Sequence, residues 1–99
     1  MSVRVRRTRR ADEDFAEIFR VGAAEFGIAQ AEQYAAGLIE AFDLLSRHPP
    51  LARERTEFRR PVRLHPHGAH LIAYTVDDEG VLIVRLLHGR QDWRRHLFP

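Results

Sequence analysis

The apolar residues change their spacing once along this chain, and that change limits the folds open to it. Between residues 9 and 48 they recur every three to four positions, in two stripes interrupted at Gly27. This spacing is typical of amphipathic helices, and Pro49-Pro50 ends the second stripe. Beyond residue 61 the apolar residues form three short strand-like runs separated by turn residues. The pattern predicts a helical hairpin followed by a small sheet.

Capping residues set the predicted ends of the two helices. Thr8 is a good N-cap, and acidic residues in the first turns, at Asp12, Glu13 and Asp14, suit the helix dipole. Gly27 is a natural C-terminal stop for the first helix. The sequence therefore predicts helices over residues 9–26 and 28–48. So short a connection predicts an antiparallel hairpin.

The remaining segments predict strands around this hairpin. Val3 and Val5 alternate with arginines, which is typical of a short, half-exposed strand. Residues 51–60 lack a clean period and are expected to form a loop. Three further strands are expected at 62–65, 70–76 and 81–88. The expected fold class is α+β in the order β-α-α-β-β-β, with the hairpin covering one face of a small, mainly antiparallel sheet.

Length and composition narrow the class of protein. The 99 residues are expected to form a single domain, residues 1–99. The first ten residues have no apolar core, so they do not predict a signal peptide, and no apolar run is long enough to cross a membrane. The sequence contains no cysteine, which excludes disulfides and thiolate chemistry and suits a reducing compartment. A cytoplasmic protein is expected.

The basic residues restrict the chemistry further. All sixteen are arginine and none is lysine, so a general base would have to be His, Asp, Glu or Tyr. Residues 1–10 hold five arginines and no acid, whereas residues 11–57 hold ten of the fourteen acids. Basic flanks predict an anionic partner, either nucleic acid or an acidic protein segment, unless they meet the acidic middle within the fold.

The strand register decides which side chains face a partner. With simple hairpin turns, the expected pairs are Val76–Val81, Ala73–Val84, Leu71–Leu86, Leu64–Leu71 and Val62–Ala73. These residues, with Leu82, would face the helices. The opposite face would carry Arg63, His65, His70, Ile72, Tyr74, Ile83, Arg85 and Leu87. A patch of this kind usually marks a partner site, unless residues 89–99 fold back and cover it. A slip of one residue would exchange the two faces.

Four stretches together resemble a known family. They are "TRRADEDFAEIF", "FGIAQAEQYAAGL", "LLSRHPP" and "RPVRLHPHGAHLIAYTVDDEGVLIVRLLHGRQDW". Their order and spacing resemble the ParE/RelE superfamily of toxins from bacterial type II toxin–antitoxin systems, and within it the ParE-like branch. The most characteristic spacing is that of Arg63, His70, Tyr74, Arg85, His88, Arg90 and Asp92. The resemblance extends from Val3 to about Leu97.

The resemblance implies a toxin that is neutralised by a cognate, ParD-like antitoxin and contacts DNA only through it. ParE-like members are associated with inhibition of DNA gyrase by direct binding, which requires neither a cofactor nor a catalytic residue of the toxin. RelE-like members cut mRNA on the ribosome, and that alternative would use Arg63, Arg85, His88 and Arg90. The absence of lysine favours the ParE-like alternative, and a non-toxic binding module is a third.

The remaining candidates concern binding. His65, His67 and His70 are close enough to suggest zinc, but no nearby acid or cysteine completes a site, so no metal is expected. Trp93, with arginines around it, is either a packing residue or an interface anchor. Asp92 is expected to pair with an arginine. The residues predicted to bind target or antitoxin are Arg63, His70, Ile72, Tyr74, Ile83, Arg85, Leu87, Arg90, Trp93 and Arg94.

Overall fold

A computed structural model describes residues 5–56, 60–92 and 95 of the chain. Two helices precede most of a five-stranded sheet, which confirms the predicted α+β class. The helices are α1, Arg9–Phe26, and α2, Ile28–Arg47. The strands are β1 (Arg6–Arg7), β2 (Glu54–Arg55), β3 (Val62–His67), β4 (His70–Asp77) and β5 (Gly80–His88), and a short 3-10 helix spans Pro49–Leu51. Within the described residues, neither helix is both long and apolar enough to cross a membrane.

The helical hairpin begins and ends where the capping residues predict. The side chain of Thr8 accepts a hydrogen bond from the Ala11 backbone N–H at 3.0 Å. Gly27 adopts a φ of 94°, a conformation that side-chain-bearing residues rarely take, and this lets α2 start one residue after α1 ends. Gly22 and Ala31 allow the two helices to approach closely, since a Cβ added at Gly22 would lie 3.7 Å from that of Ala31.

The sheet is mixed, with strand order β1-β5-β4-β3-β2. β1 runs parallel to β5, and the other neighbours are antiparallel. The first strand lies at Arg6–Arg7 rather than at the Val3–Val5 alternation, of which Val3 lies outside the described residues. β2 was not predicted, because a two-residue strand is too short to produce a periodic signal. β2 lies inside residues 51–60, the segment expected to form a loop, and it pairs with the start of β3.

The register of β4 with β5 is correct only near its turn. Val76 pairs with Val81 as predicted. A β-bulge then interrupts the ladder, because Tyr74 pairs with Ile83 whereas Ala73 pairs with Arg85. Val84 is therefore the extra residue on β5. The predicted Ala73–Val84 and Leu71–Leu86 pairs are wrong, and Leu71 pairs with Leu87 instead.

The register of β3 with β4 is two residues from the predicted one. His67 pairs with His70 across a two-residue turn at Gly68-Ala69, and Leu64 pairs with Ala73. Gly68 has a φ of 54°, as such tight hairpin turns require. The predicted Leu64–Leu71 and Val62–Ala73 pairs assumed a four-residue turn and are wrong.

The helices cover the face of β4 opposite to the predicted one. The register shifts do not cause this, since a shift of two residues keeps each side chain on its face and Tyr74 pairs with Ile83 in the predicted register. Ile72, Tyr74 and Ile83 have no exposed surface and pack in one core with Leu38 and Leu45 of α2. Their predicted position on the partner-facing side is wrong. Successive residues of a strand point to opposite faces, so the opposite side carries Val62, Leu64, Leu71, Ala73 and Leu82, which were expected to face the helices. Val81 and Leu86 were also expected to face the helices, and both pack in this core.

Candidate functional site

An open cleft of about 650 Å³ lies between the helical hairpin and the end of the sheet. One wall is an apolar row of α1, formed by Phe15, Ile18, Phe19, Val21 and Phe26. The facing wall comes from α2, with Ala31, Ala35 and Leu38. The ends of β4 and β5 close the cleft with His70, Leu86 and His88. A mainly apolar cleft with a few polar groups is the usual form of a binding site.

Apolar side chains remain exposed where the hairpin turns. Phe26 is 63% exposed and borders the cleft, and Ile28 on the other side of Gly27 is 64% exposed. Val21, one turn earlier in α1, is 37% exposed. Exposed apolar side chains grouped beside a cleft are typical of a surface that binds a partner.

The polar end of the cleft consists of a phenol and two imidazoles. The Tyr34 hydroxyl lies 2.6 Å from His70 Nδ1 and 3.1 Å from the His67 carbonyl oxygen. The rings of His70 and His88 meet edge to face, with centroids 5.4 Å apart. The backbone N–H of Arg90 donates to His88 Nδ1 at 3.1 Å. The short β3–β4 turn brings His67 and His70 together, and the pairing of β4 with β5 adds His88.

Burial shifts the pKa values of two of these groups, His70 and Tyr34. Burial lowers the pKa of His70, and the charges of His88 and His67 lower it further. Burial raises the pKa of Tyr34, against a smaller effect of a backbone hydrogen bond at Ala69. His70 is therefore neutral at physiological pH. The Tyr34 hydroxyl donates its one hydrogen to the His67 carbonyl oxygen, and the direction of its contact with His70 Nδ1 is set by the imidazole tautomer.

The pH dependence of folding should report the lowered pKa of His70. Because unfolding returns His70 to its ordinary pKa, near 6.5, the unfolded chain binds more protons as the pH falls through that value. We expect the free energy of unfolding to be lower at about pH 5.5 than at about pH 7.5, and His70→Asn to reduce this difference. Urea unfolding at both values measures it. His48→Asn, at an exposed site, is the control. An unchanged difference in His70→Asn would contradict the expectation.

A charged pair joins α1 to β5 at the edge of the cleft. Arg85 donates to both carboxylate oxygens of Asp14, from Nε at 2.7 Å and from a terminal nitrogen at 3.2 Å. The same carboxylate accepts the Leu86 backbone N–H at 3.0 Å. The two side chains are only 13% and 12% exposed. Arg85 therefore holds the helix against the sheet.

Arg63 and Tyr74 stabilise the segment that follows α2. Arg63 donates to the Ala52 carbonyl at 2.6 Å. The Tyr74 hydroxyl donates to the Pro49 carbonyl at 2.8 Å and accepts the Ala52 N–H at 3.2 Å. Burial raises the pKa of Tyr74, partly offset by the hydrogen bond at Ala52 and the charge of Arg63. These contacts bend the chain from Pro49 to Ala52 over the sheet.

The candidate residues therefore separate by position. Ile72, Tyr74, Ile83 and Leu87 have no exposed surface, so their side chains do not reach a partner in this conformation. His70, Arg85 and His88 border the cleft, and Arg90 is exposed just beyond β5. Asp92 pairs with Arg95 at 3.5 Å, as expected. Trp93 and Arg94 lie outside the described residues.

The sequence did not indicate the importance of Tyr34, Asp14 or the apolar row of α1. Tyr34 lies in a helical stripe, and the acid of Asp14 was explained by the helix dipole alone. Only the packing of α1 and α2 beside β5 reveals that these residues share a site. No group of three His, Asp or Glu side chains among residues 5–56, 60–92 and 95 is placed to hold a metal ion.

The fold and the cleft define a small α+β domain with an open, mainly apolar cleft between a helical hairpin and a sheet. Residues 5–93 match the family model described as the ParE toxin of the type II toxin–antitoxin system parDE. Toxin ParE1 of Mycobacterium tuberculosis is 37% identical over 82 residues, covering 82% of this chain and 84% of the relative. The chain belongs to the ParE toxin family.

Two further comparisons agree with this assignment. Toxin ParE1 of Caulobacter vibrioides is 30% identical over 92 residues, covering 93% of this chain and 95% of that toxin. A solved structure of the chromosomal ParDE toxin–antitoxin system from P. aeruginosa superposes with a TM-score of 0.73 over 88% of this chain and 96% of that chain. At 18% identity the latter establishes the fold alone.

Proposed function

We propose that this chain inhibits DNA gyrase by binding it directly and that a cognate, ParD-like antitoxin neutralises it. The proposal extends membership of the ParE family over residues 5–93 to the activity associated with ParE-like toxins. It places the protein in the bacterial cytoplasm, where gyrase acts. Contact with DNA is indirect, through the antitoxin.

The main support for the proposal is that Arg63 and Arg85, two of the candidate catalytic arginines, make hydrogen bonds within the fold. Arg85 is held by Asp14, and Arg63 donates to the Ala52 carbonyl. RNA cleavage would require such arginines to stabilise charge developing on a phosphate. Their engagement, with Tyr74 fully buried, favours inhibition by protein binding over hydrolysis.

The alternative is a RelE-like endoribonuclease that cuts mRNA on the ribosome. His88 and Arg90 support it, since they lie together at the end of β5 and Arg90 is exposed. The Arg90 backbone N–H already occupies His88 Nδ1, so a base or acid at His88 would have to act through Nε2. Toeprinting of translating ribosomes tests this alternative, which predicts new mRNA ends in the presence of the toxin.

Purified toxin should inhibit gyrase-dependent DNA supercoiling and cause cleaved DNA to accumulate. Arg90→Glu reverses a charge just beyond β5, so we expect weaker inhibition with unchanged folding. Arg53→Glu makes the same change at an exposed site elsewhere and is the matched control. Trp93→Ala and Arg94→Glu extend the test to the neighbouring candidates. If gyrase remains fully active at a large excess of toxin, the proposed target is wrong.

We propose that the antitoxin binds in the cleft between the hairpin and the sheet. The apolar row of α1 and the exposed Phe26 support this location. Expression of the toxin alone should stop growth, and co-expression of a short acidic protein encoded beside it should restore growth. Phe19→Asp places a charge in the cleft wall and should prevent the rescue. Normal growth with the toxin alone would instead favour the non-toxic binding module.

A further inference from the structure

Four apolar residues on the sheet face turned away from the helices are buried. Leu87 and Ala73 have no exposed surface, Val62 is 2% exposed and Leu64 is 8% exposed. None of these four residues, the buried row, belongs to the core cluster that packs against the helices. An apolar side chain on an open sheet face keeps much of its surface in solvent, as Val76 does near the end of β4, where it is 42% exposed. Another layer of side chains therefore covers the buried row.

Among the described residues, no element lies over this face. Both helices pack on the other face, and the 3-10 helix Pro49–Leu51 lies there too, because the Tyr74 hydroxyl donates to the Pro49 carbonyl oxygen. β1 and β2 extend the sheet at its two edges. Residues 89–92, which follow β5, are exposed. The cover therefore comes from residues 1–4, 57–59 or 93–99.

The buried row begins where β5 ends. Leu87 is the last residue but one of β5, whereas Ala73 and Leu64 pair with each other two residues further along the ladder. A strand spacing of about 4.8 Å and a rise of about 3.3 Å per residue place Leu87 and Leu64 about 12 Å apart. Seven residues span about 10 Å as a helix and about 23 Å when extended, so residues 93–99 are long enough to cover the row.

A turn immediately after β5 reverses the direction of the chain. The Gln91 N–H donates to the His88 carbonyl oxygen at 2.9 Å. The Gln91 side chain accepts the His88 N–H at 2.7 Å, which holds the turn closed. A hydrogen bond of this kind, between residues three apart, is typical of a β-turn. The segment after the turn can therefore return along the sheet beside Leu87.

Arg95 indicates the orientation of this segment. Its N–H donates to the Asp92 carbonyl oxygen at 3.1 Å, which begins a helical turn, and its side chain is 86% exposed. A helix advances by about 100° per residue, so positions 93 and 97 lie on the side opposite Arg95. Those positions hold Trp93 and Leu97. The segment thus has an apolar side that suits the sheet face and a charged side that suits solvent.

We propose that residues 93–99 form a strap across the sheet face opposite the helices, with Trp93 and Leu97 packed against the buried row. Trp93 then has a packing role, and the contacts of the strap with a partner come from its arginines. The strap also prevents an apolar sheet face from associating with a second copy of the chain. The proposal stands apart from the proposed function, because it depends on the burial of the sheet face alone.

Trp93 reports directly on the strap because it is the only tryptophan of the chain. In the methyl-labelled wild-type chain, nuclear Overhauser effects should connect the Trp93 ring to methyl groups of the buried row. Its fluorescence should lie at shorter wavelength than in the urea-unfolded chain and resist quenching by acrylamide. Overhauser effects from the buried row to residues 1–4 or to Phe58, without any to Trp93, would overturn the proposal. A Trp93 ring that is quenched as strongly as in urea would do the same.

Substitutions at positions 97 and 95 separate the two sides of the strap. Leu97→Ala should lower the Tm by at least about 4 °C, because it removes buried apolar contacts. It should also make Trp93 easier to quench. Arg95→Ala changes an exposed side chain and should leave the Tm and the quenching nearly unchanged. Equal effects of the two substitutions would contradict the proposed orientation of the strap.

Charged variants test whether the strap prevents self-association. Leu97→Asp places a carboxylate against the apolar sheet face and should release the strap, so sedimentation velocity should detect association that the wild-type chain lacks. Arg95→Asp is the matched control and should behave as the wild-type chain does. A Leu97→Asp chain that keeps its fold by circular dichroism, exposes Trp93 and stays monomeric would refute the protective role. Should Leu97→Asp unfold, the Overhauser effects of the wild-type chain still decide the position of the strap. None of these measurements involves gyrase or an antitoxin.

Discussion

Asp14→Asn should lower the free energy of unfolding by roughly 2–4 kcal/mol, because it removes the charge that holds Arg85. One carboxylate oxygen accepts both Arg85 Nε and the Leu86 N–H, and the other accepts a terminal nitrogen of Arg85. An asparagine keeps one acceptor and turns an amide donor towards a guanidinium. Since small domains are stable by about 5–15 kcal/mol, the loss is a large fraction of the total. Urea unfolding at neutral pH measures it.

Asp12→Asn is the matched control, two residues earlier in the same helix. Asp12 pairs with Arg7 at 2.7 Å, but the two side chains are 56% and 43% exposed. Exposed pairs contribute little, so we expect a change below about 1 kcal/mol. Equal losses of stability in the two variants would mean that burial does not increase the contribution of the Asp14–Arg85 pair to the free energy of unfolding. Asp14→Asn should also loosen the wall of the cleft, so its binding of the antitoxin should fall together with its stability.

Leu45→Ala should cost about 2–5 kcal/mol, the usual range for a cavity left by a buried leucine. Leu45 has no exposed surface and belongs to the core cluster formed with Ile72, Tyr74 and Ile83. This core attaches α2 to the sheet and thereby fixes one wall of the cleft. Chemical or thermal unfolding measures the loss.

Leu44→Ala makes the same substitution at the adjacent position of α2. Leu44 is 37% exposed, and the surrounding helix can accept alanine without leaving a cavity. We expect a loss of about 1 kcal/mol or less. If the two variants lost the same stability, the assignment of Ile72, Tyr74 and Ile83 to the helix-facing side of the sheet would be in doubt. The pair of variants thus tests which face of the sheet the helices cover, independently of function.

The helices could be predicted because every signal that sets them lies within the helix itself or within a few residues of its ends. α1 occupies the predicted residues, and α2 ends one residue before the predicted limit. The spacing of apolar residues, the Thr8 cap, the Gly27 stop and the prolines after α2 all act within a few residues of the structure they set. The strand positions were predicted on the same basis.

The pairing of the strands could not be predicted because it depends on one bulge and one tight turn. Val84 is an apolar residue in an apolar strand, and nothing in its neighbours indicates that it lacks a partner. The turn at Gly68-Ala69 replaced the expected four-residue turn and moved β3 by two residues along β4. Neither feature moved Ile72, Tyr74 or Ile83 to the other face, since Tyr74 pairs with Ile83 in the predicted register and a shift of two residues keeps each side chain on its face. These residues lie in the core because the helices cover the face of β4 opposite to the predicted one. The predicted partner surface was therefore largely interior.

The sequence by itself determined the two helices, the approximate strands, the fold class and the resemblance to the ParE branch, since these follow from periodicity, caps and the order of segments. Only the tertiary structure decided which side chains share a site. Asp14, Tyr34, His70 and His88 come from four elements, and short-range patterns carry no information about their meeting. Their contacts depend on how the hairpin packs across the end of the sheet, which is set by side-chain volume and register rather than by local propensity.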